Sequence, residues 1–303
     1  MKISILLPYK ENFSSKYAGA VSLFVKDTTI NSRYKNAINV FGHTKYKSAL
    51  LKNYINLDIK KTILQSNSKI YVEKFLEHEK FRPSDLIEIH NRPNYIKFLS
   101  QNTSSKLILY FHNDPLTMNG SRSLSERRDL LKKTHKLVFN SKWSRDRFLQ
   151  SFNKFEIPED KLNVIYQSSK KVKINFNKKR KIISFVGKLN SAKGYDLFGS
   201  AILKILDKYK DWKAIVIGDE PREKLTFKHK NLKILGFKPH KIVLNYFNIV
   251  SISVVCSRWD EPFGRTSLEA SSRGCALIIS NKGGLPETTN HALVLKKLTS
   301  KEI

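Results

Sequence analysis

Ile249 to Glu287, IVSISVVCSRWDEPFGRTSLEASSRGCALIISNKGGLPE, is the stretch that most limits what this chain can become. Ile249 to Cys256 is a continuous apolar, β-rich run, as in a strand buried on both faces of a parallel sheet. Ser257 to Gly264 reads as a loop. Pro262 disfavours a helical Glu261, so that carboxylate is expected on extended backbone at the strand's carboxyl tip. A helix is predicted from Thr266 to Arg273, with Gly274 as its stop. Ala276 to Ser280 forms a second buried strand, Gly283-Gly284 a turn, and Pro286 can open another helix.

Two carboxylates stand out, Glu261 on the loop and Glu269 inside the helix. Ligands of open α/β sheets bind outside the carboxyl ends of the strands, where this loop lies. The helix start near Gly264 to Ser267 offers free N–H groups and a positive dipole suited to phosphate. A carboxylate repels phosphate, so its presence there makes sense as an acceptor of hydroxyl hydrogen bonds. Hydroxyls together with phosphates suggest a nucleotide sugar.

Glu261-Pro262-Phe263-Gly264, the Glu-x7-Glu spacing completed by Glu269, and Gly283-Gly284-Leu285-Pro286-Glu287 resemble the retaining group 1 (family 4) glycosyltransferases of GT-B fold. The resemblance implies that Glu261 contacts the donor sugar's hydroxyls and Glu269 the nucleotide's ribose. It implies basic residues on the donor pyrophosphate after the second domain's first strand, which here are Lys188 and Lys193. Lysine stands at Lys188 where arginine is more usual, a point charge without the bidentate fork. The remaining donor contacts implied are Gly19, Gly187, Gly218, Phe237, Arg265 and Thr266, with Phe237 where family members hold the base. One glycine, Gly19, stands where members usually carry a pair.

The chain has 303 residues, enough for two full cores. No apolar run approaches the roughly 20 residues needed to span a bilayer, and Met1 to Pro8 is too short for a signal peptide. Cys256 and Cys275 are the only cysteines and are read as reduced core residues of a cytosolic protein. Charge is the outlier: 56 Lys+Arg against 26 Asp+Glu, a formal +30. That implies a polyanionic neighbour, whether an anionic membrane, a nucleic acid or an acidic glycan.

The order of segments is strand and helix in alternation. Lys2 to Pro8, Ile38 to Gly42, Asp85 to His90, Lys106 to Phe111, Leu137 to Asn140 and Lys161 to Tyr166 are strands of a first half. His112 follows a strand tip, where the resemblance implies an active-site histidine, and His90 stands on a neighbouring tip. Ile182 to Leu189, Trp212 to Gly218 and Leu232 to Gly236 are strands of the second. The expected architecture is α/β, GT-B, two Rossmann-like domains facing a cleft. The domains are expected over 1–169 and 182–303, joined by a basic linker over 170–181. The resemblance also implies further helices after Glu287, whereas the sequence ends at Ile303.

The function implied is a retaining, metal-independent glycosyltransferase using a UDP- or GDP-linked sugar as substrate and no cofactor. His112, Glu261, Lys188 and Lys193 are its candidate catalytic residues. The charge points to a membrane-lipid or lipid-linked glycan acceptor and to a cytoplasmic protein peripheral at the membrane's inner face. Arg122, Arg127, Arg128, Lys132 and Lys133, on a basic helix read from Ser121 to Lys136, are the expected membrane contacts. Thr44 to Lys61 is the second candidate surface. The competing readings are a soluble-glycan acceptor, as for a glycogen or starch synthase; DNA as acceptor; a nucleotide-sugar epimerase; and a nucleic-acid-binding protein without turnover.

Overall fold

The computed structural model describes residues 1–46, 48–59 and 65–303. The chain divides into two compact units, Met1–Tyr166 and Gln167–Ile303.

The first unit runs β1 (Ile3–Leu6), α1 (Ala20–Asn31), β2 (Ile38–Gly42), β3 (Tyr54–Asn56), α2 (Asn67–Phe81), β4 (Leu86–His90), α3 (Asn94–Asn102), β5 (Lys106–Phe111), α4 (Leu124–Lys133), β6 (Lys136–Phe139), α5 (Lys142–Leu149) and β7 (Leu162–Val164). Its seven strands lie in the order β3-β2-β1-β4-β5-β6-β7, all parallel. The order reverses between β1 and β4, so the ligand crevice of such a sheet falls at their carboxyl ends. Both faces are covered because strand residues alternate between two cores. Leu107, Leu109 and Phe111 of β5 face one core, where Phe111 stacks on Phe139 and Phe148 packs tilted against both. Tyr110 packs on the other, beneath α1. Each fully buried phenylalanine contributes roughly 1.5–3 kcal/mol relative to exposure.

The second unit runs β8 (Arg180–Val186), α6 (Tyr195–Lys208), β9 (Lys213–Ile217), β10 (Leu232–Ile234), α7 (His240–Phe247), β11 (Val250–Val255), α8 (Arg265–Ser271), β12 (Ala276–Ser280) and β13 (Leu293–Leu295). Its six strands are also parallel, ordered β10-β9-β8-β11-β12-β13. Apolar clusters cover both faces. Here the reversal falls between β8 and β11. Both cysteines are buried and free, and burial pushes the Cys256 thiol up to about 12.

Two expectations are corrected. Residues 170–181 are not a separate linker but part of the second unit. Ile174 and Phe176 pack beside Gly274, and the Lys179 ammonium donates to the carbonyls of Phe247 and Val250 at 2.8 and 2.7 Å. The second correction concerns α4. It starts at Leu124, after a Ser123–Glu126 capping box, and not at Ser121. Arg127, expected at a membrane, is only 3% exposed. Its guanidinium donates to the carbonyls of Phe148, Gln150 and Arg147 at 3.0, 3.0 and 3.3 Å, tying α4 to the end of α5. Arg128 forms a forked pair with Glu156, and Lys133 pairs with Asp129. Arg122 and Lys132 are exposed. In the second candidate surface, Lys47, Lys60 and Lys61 lie outside the described residues.

Candidate functional site

The second unit gathers most of the predicted residues at the carboxyl ends of β8, β9 and β11. Three glycines set its floor. Gly187 donates its N–H to the Ile217 carbonyl at 3.0 Å, and Gly218 to that of Gly236 at 3.0 Å. Gly218 holds φ at 143°, and a Cβ there would lie 1.7 Å from the Gly187 carbonyl oxygen. Adjacent strand tips thus approach backbone to backbone, which only glycine permits. Phe237 follows, half exposed.

Lys188 is exposed just past β8. Lys193 closes a single turn, Ser191–Lys193, capped by Asn190, whose side-chain oxygen accepts from the Lys193 N–H at 3.0 Å. The loop after β11 is bolted to this turn. The N–H groups of Arg258 and Trp259 donate to the Ala192 carbonyl at 2.9 and 3.0 Å, and Arg258 forks onto Asp196. The same loop carries Glu261. Gly284 donates to the Glu261 carbonyl at 2.7 Å, and a Cβ on Gly283 would stand 2.2 Å from that oxygen. The Gly-Gly pair is therefore what fixes the backbone of Glu261. Fixed this way, the Glu261 carboxylate meets the Lys193 ammonium at 2.5 Å.

Glu269 lies within α8 and is 5% exposed. One carboxylate oxygen accepts from both His240, at the start of α7, and Arg265, at 2.7 Å each. Burial pushes the Glu269 carboxyl up, but the His240 hydrogen bond and the Arg265 charge outweigh it and hold it below the usual range. Glu269 is thus held in its ionised, acceptor form. Phe263 is buried, whereas Pro262, Gly264 and Thr266 are partly exposed.

His240 was not legible as a site residue: it sits 29 positions from Glu269 in sequence. Arg265 and Glu269, four apart on a helix, were legible as a pair.

In the first unit, His112 is buried at the tip of β5. Its Nε2 lies 2.9 Å from Nδ1 of His90, so the two histidines share one hydrogen bond. Asn91 accepts from the His112 N–H at 2.7 Å, and Asn140 donates to the His112 carbonyl at 3.2 Å. Both contacts join residues more than 20 positions apart, so no local spacing marks either asparagine. Gly19 caps the start of α1 without a side-chain bond. A Cβ there would lie 2.6 Å from the Glu11 carboxylate, which accepts from Ser22.

Two parallel-sheet units of these strand orders define an α/β protein of GT-B class. HepE from Anabaena, in complex with UDP-glucose, has this fold: TM-score 0.74, 17% identity, covering 100% of this chain and 87% of that one. Residues 167–299 match the family described as glycosyl transferases group 1, and the chain resembles that family through its second unit. A putative glycosyltransferase of Bacillus subtilis, YtcC, is 23% identical over 253 residues, 73% of this chain and 61% of that protein. The lipopolysaccharide core biosynthesis mannosyltransferase LpsB of Rhizobium meliloti is 26% identical over 144 residues, 44% of this chain and 39% of that protein. The matches thus span less than two thirds of either relative's length.

Proposed function

We propose that the chain is a glycosyltransferase that moves a sugar from a nucleotide-sugar donor, UDP-linked, to a membrane-lipid or lipid-linked glycan acceptor. Transfer proceeds with retention and without a metal ion. The observation that carries this reading is the pairing of Lys193 with Glu261, on loops that the glycines and Ala192 lock together. Such a pair separates charges of opposite sign by one contact, so a ligand offering phosphates and hydroxyls side by side satisfies both. The arriving diphosphate takes the Lys193 ammonium and that of Lys188, and Glu261 is released to accept from the sugar's hydroxyls. Glu269, kept ionised by His240 and Arg265, accepts from the ribose. The charge that develops on the leaving diphosphate is the largest electrostatic demand, and the two lysines meet it. His112 is the first unit's candidate catalytic residue.

Support for the donor is the UDP-glucose held by the HepE structure. Support for the acceptor is the excess of 56 basic over 26 acidic residues and the lipopolysaccharide role named for LpsB. In this reading the acceptor is met at the membrane surface, on its cytoplasmic face; among the described residues no helix is long and apolar enough to cross a membrane. With Arg127 buried, the part of α4 left for that contact is Lys132 and, in the turn before the helix, Arg122.

The test is transfer of label from a UDP-sugar into an organic-extractable product, measured with and without EDTA. We expect labelled lipid in both. Label confined to the aqueous phase contradicts the acceptor, and loss in EDTA restored by manganese contradicts the mechanism.

A further inference from the structure

The first unit has a polar cavity of its own at the carboxyl ends of β4 and β5, the ligand-binding end of such a sheet. Ser68 at the start of α2, the loop from Asn91 to Asn94 and the segment from Asn113 to Arg122 enclose it. Two arginines, Arg92 and Arg122, line it with four asparagines, and none of its described lining residues is acidic. Some arginines pair with carboxylates, as Arg128 does with Glu156, Arg147 with Asp114 and Arg258 with Asp196, and Arg127 is spent on three carbonyls. Arg92 and Arg122 pair with no carboxylate among the described residues. Arg92 donates to the Asn91 carbonyl at 2.7 Å and stands beside the Tyr95 phenol. Arg122 donates to the Thr117 carbonyl at 3.4 and 3.3 Å. A guanidinium has five donors, so both retain N–H groups beyond these partners. The side chains of Asn94 and Asn113, exposed around them, can both donate to and accept from hydroxyls.

Two guanidiniums without carboxylates, in one cavity edged by amides, match a phosphoryl group attached to a polyol. The geometry points to this cavity as the seat of the acceptor's phosphoryl group, held by Arg92 and Arg122. The inference rests on the glycosyltransferase reading for the word acceptor, but not for the site. The phosphoryl belongs either to a phospholipid headgroup or to a soluble phosphorylated sugar.

The probe is inorganic phosphate, titrated calorimetrically into the full chain carrying Lys188→Ala and Lys193→Ala, which removes the candidate donor-phosphate contacts. Saturable binding is expected, weakened about tenfold by Arg122→Gln or Arg92→Gln and largely kept by Arg92→Lys. Arg122 is exposed and its side chain is bonded, among the described residues, to one carbonyl, so Arg122→Gln decides the matter even if Arg92→Gln disturbs the turn at Asn91. No saturable binding, or phosphate affinity unchanged by Arg122→Gln, overturns the proposal. Co-sedimentation with phosphatidylglycerol and phosphatidylcholine vesicles separates the sources. Phosphatidylglycerol binding that phosphate displaces and Arg122→Gln abolishes assigns a lipid headgroup. Vesicle binding insensitive to Arg122→Gln, with the phosphate titration still altered, assigns a soluble phosphorylated sugar. UDP binding by the unsubstituted chain is measured alongside. Its failure removes the donor reading and leaves the phosphate seat standing.

Discussion

Lys193→Ala is expected to lower kcat/KM for sugar transfer by about 10²- to 10³-fold, the loss seen when one preorganised donor is removed from developing charge. The magnitude follows from position. The ammonium is held by a capped turn whose neighbouring carbonyl is bonded to the loop bearing Glu261. A flexible surface lysine would forfeit much of that effect to side-chain entropy. The loss is specific to chemistry. The Lys193–Glu261 pair is partly solvent-exposed, so removing it alters stability by less than about 1 kcal/mol. Lys193→Arg should recover part of the rate, since it restores the charge. Activity within threefold of the unsubstituted chain would remove Lys193 from the reaction.

Arg127→Ala is expected to destabilise the first unit by roughly 3–5 kcal/mol, from charge-assisted bonds of a buried guanidinium to three carbonyls, that of Phe148 buried and those of Arg147 and Gln150 partly so, lost at once. That is a large share of the roughly 5–15 kcal/mol a domain has. Arg127→Glu should not fold, because it places a carboxylate among those same carbonyl oxygens. Lys132→Glu, exposed on the same helix, should lie within about 0.5 kcal/mol of the unsubstituted chain. Urea unfolding of the three variants checks the contrast. Arg127→Ala as stable as Lys132→Glu would mean the guanidinium bonds do not hold α5 to α4.

Net charge drew attention to α4 as a basic surface, yet Leu124, Arg127 and Leu131 recur at helical spacing and so share one face. Arg127 was legible as inward-facing from that period alone. The buried strands were plain, because β8, β11 and β12 are short apolar runs between loops. β3, Tyr54–Asn56, was not: it is a three-residue edge strand inside a basic segment, with no period to read. Glu261 and the glycines at 283 and 284 were recognisable as a motif. That Gly284 bonds the Glu261 carbonyl is a tertiary fact that spacing does not encode. The same holds for His240 on Glu269 and for the asparagines that bracket His112.

The central claim is that the second unit binds a nucleotide through Glu269. Its most direct test is the UDP dissociation constant of the chain and of Glu269→Gln, which keeps the side-chain volume but not the charge. The account predicts saturable UDP binding, visible also as a rise of about 2.7 kcal/mol in stability at 100 times the dissociation constant. It predicts that Glu269→Gln weakens this binding at least about tenfold. Equal UDP affinity in the two proteins, or none in either, would contradict it.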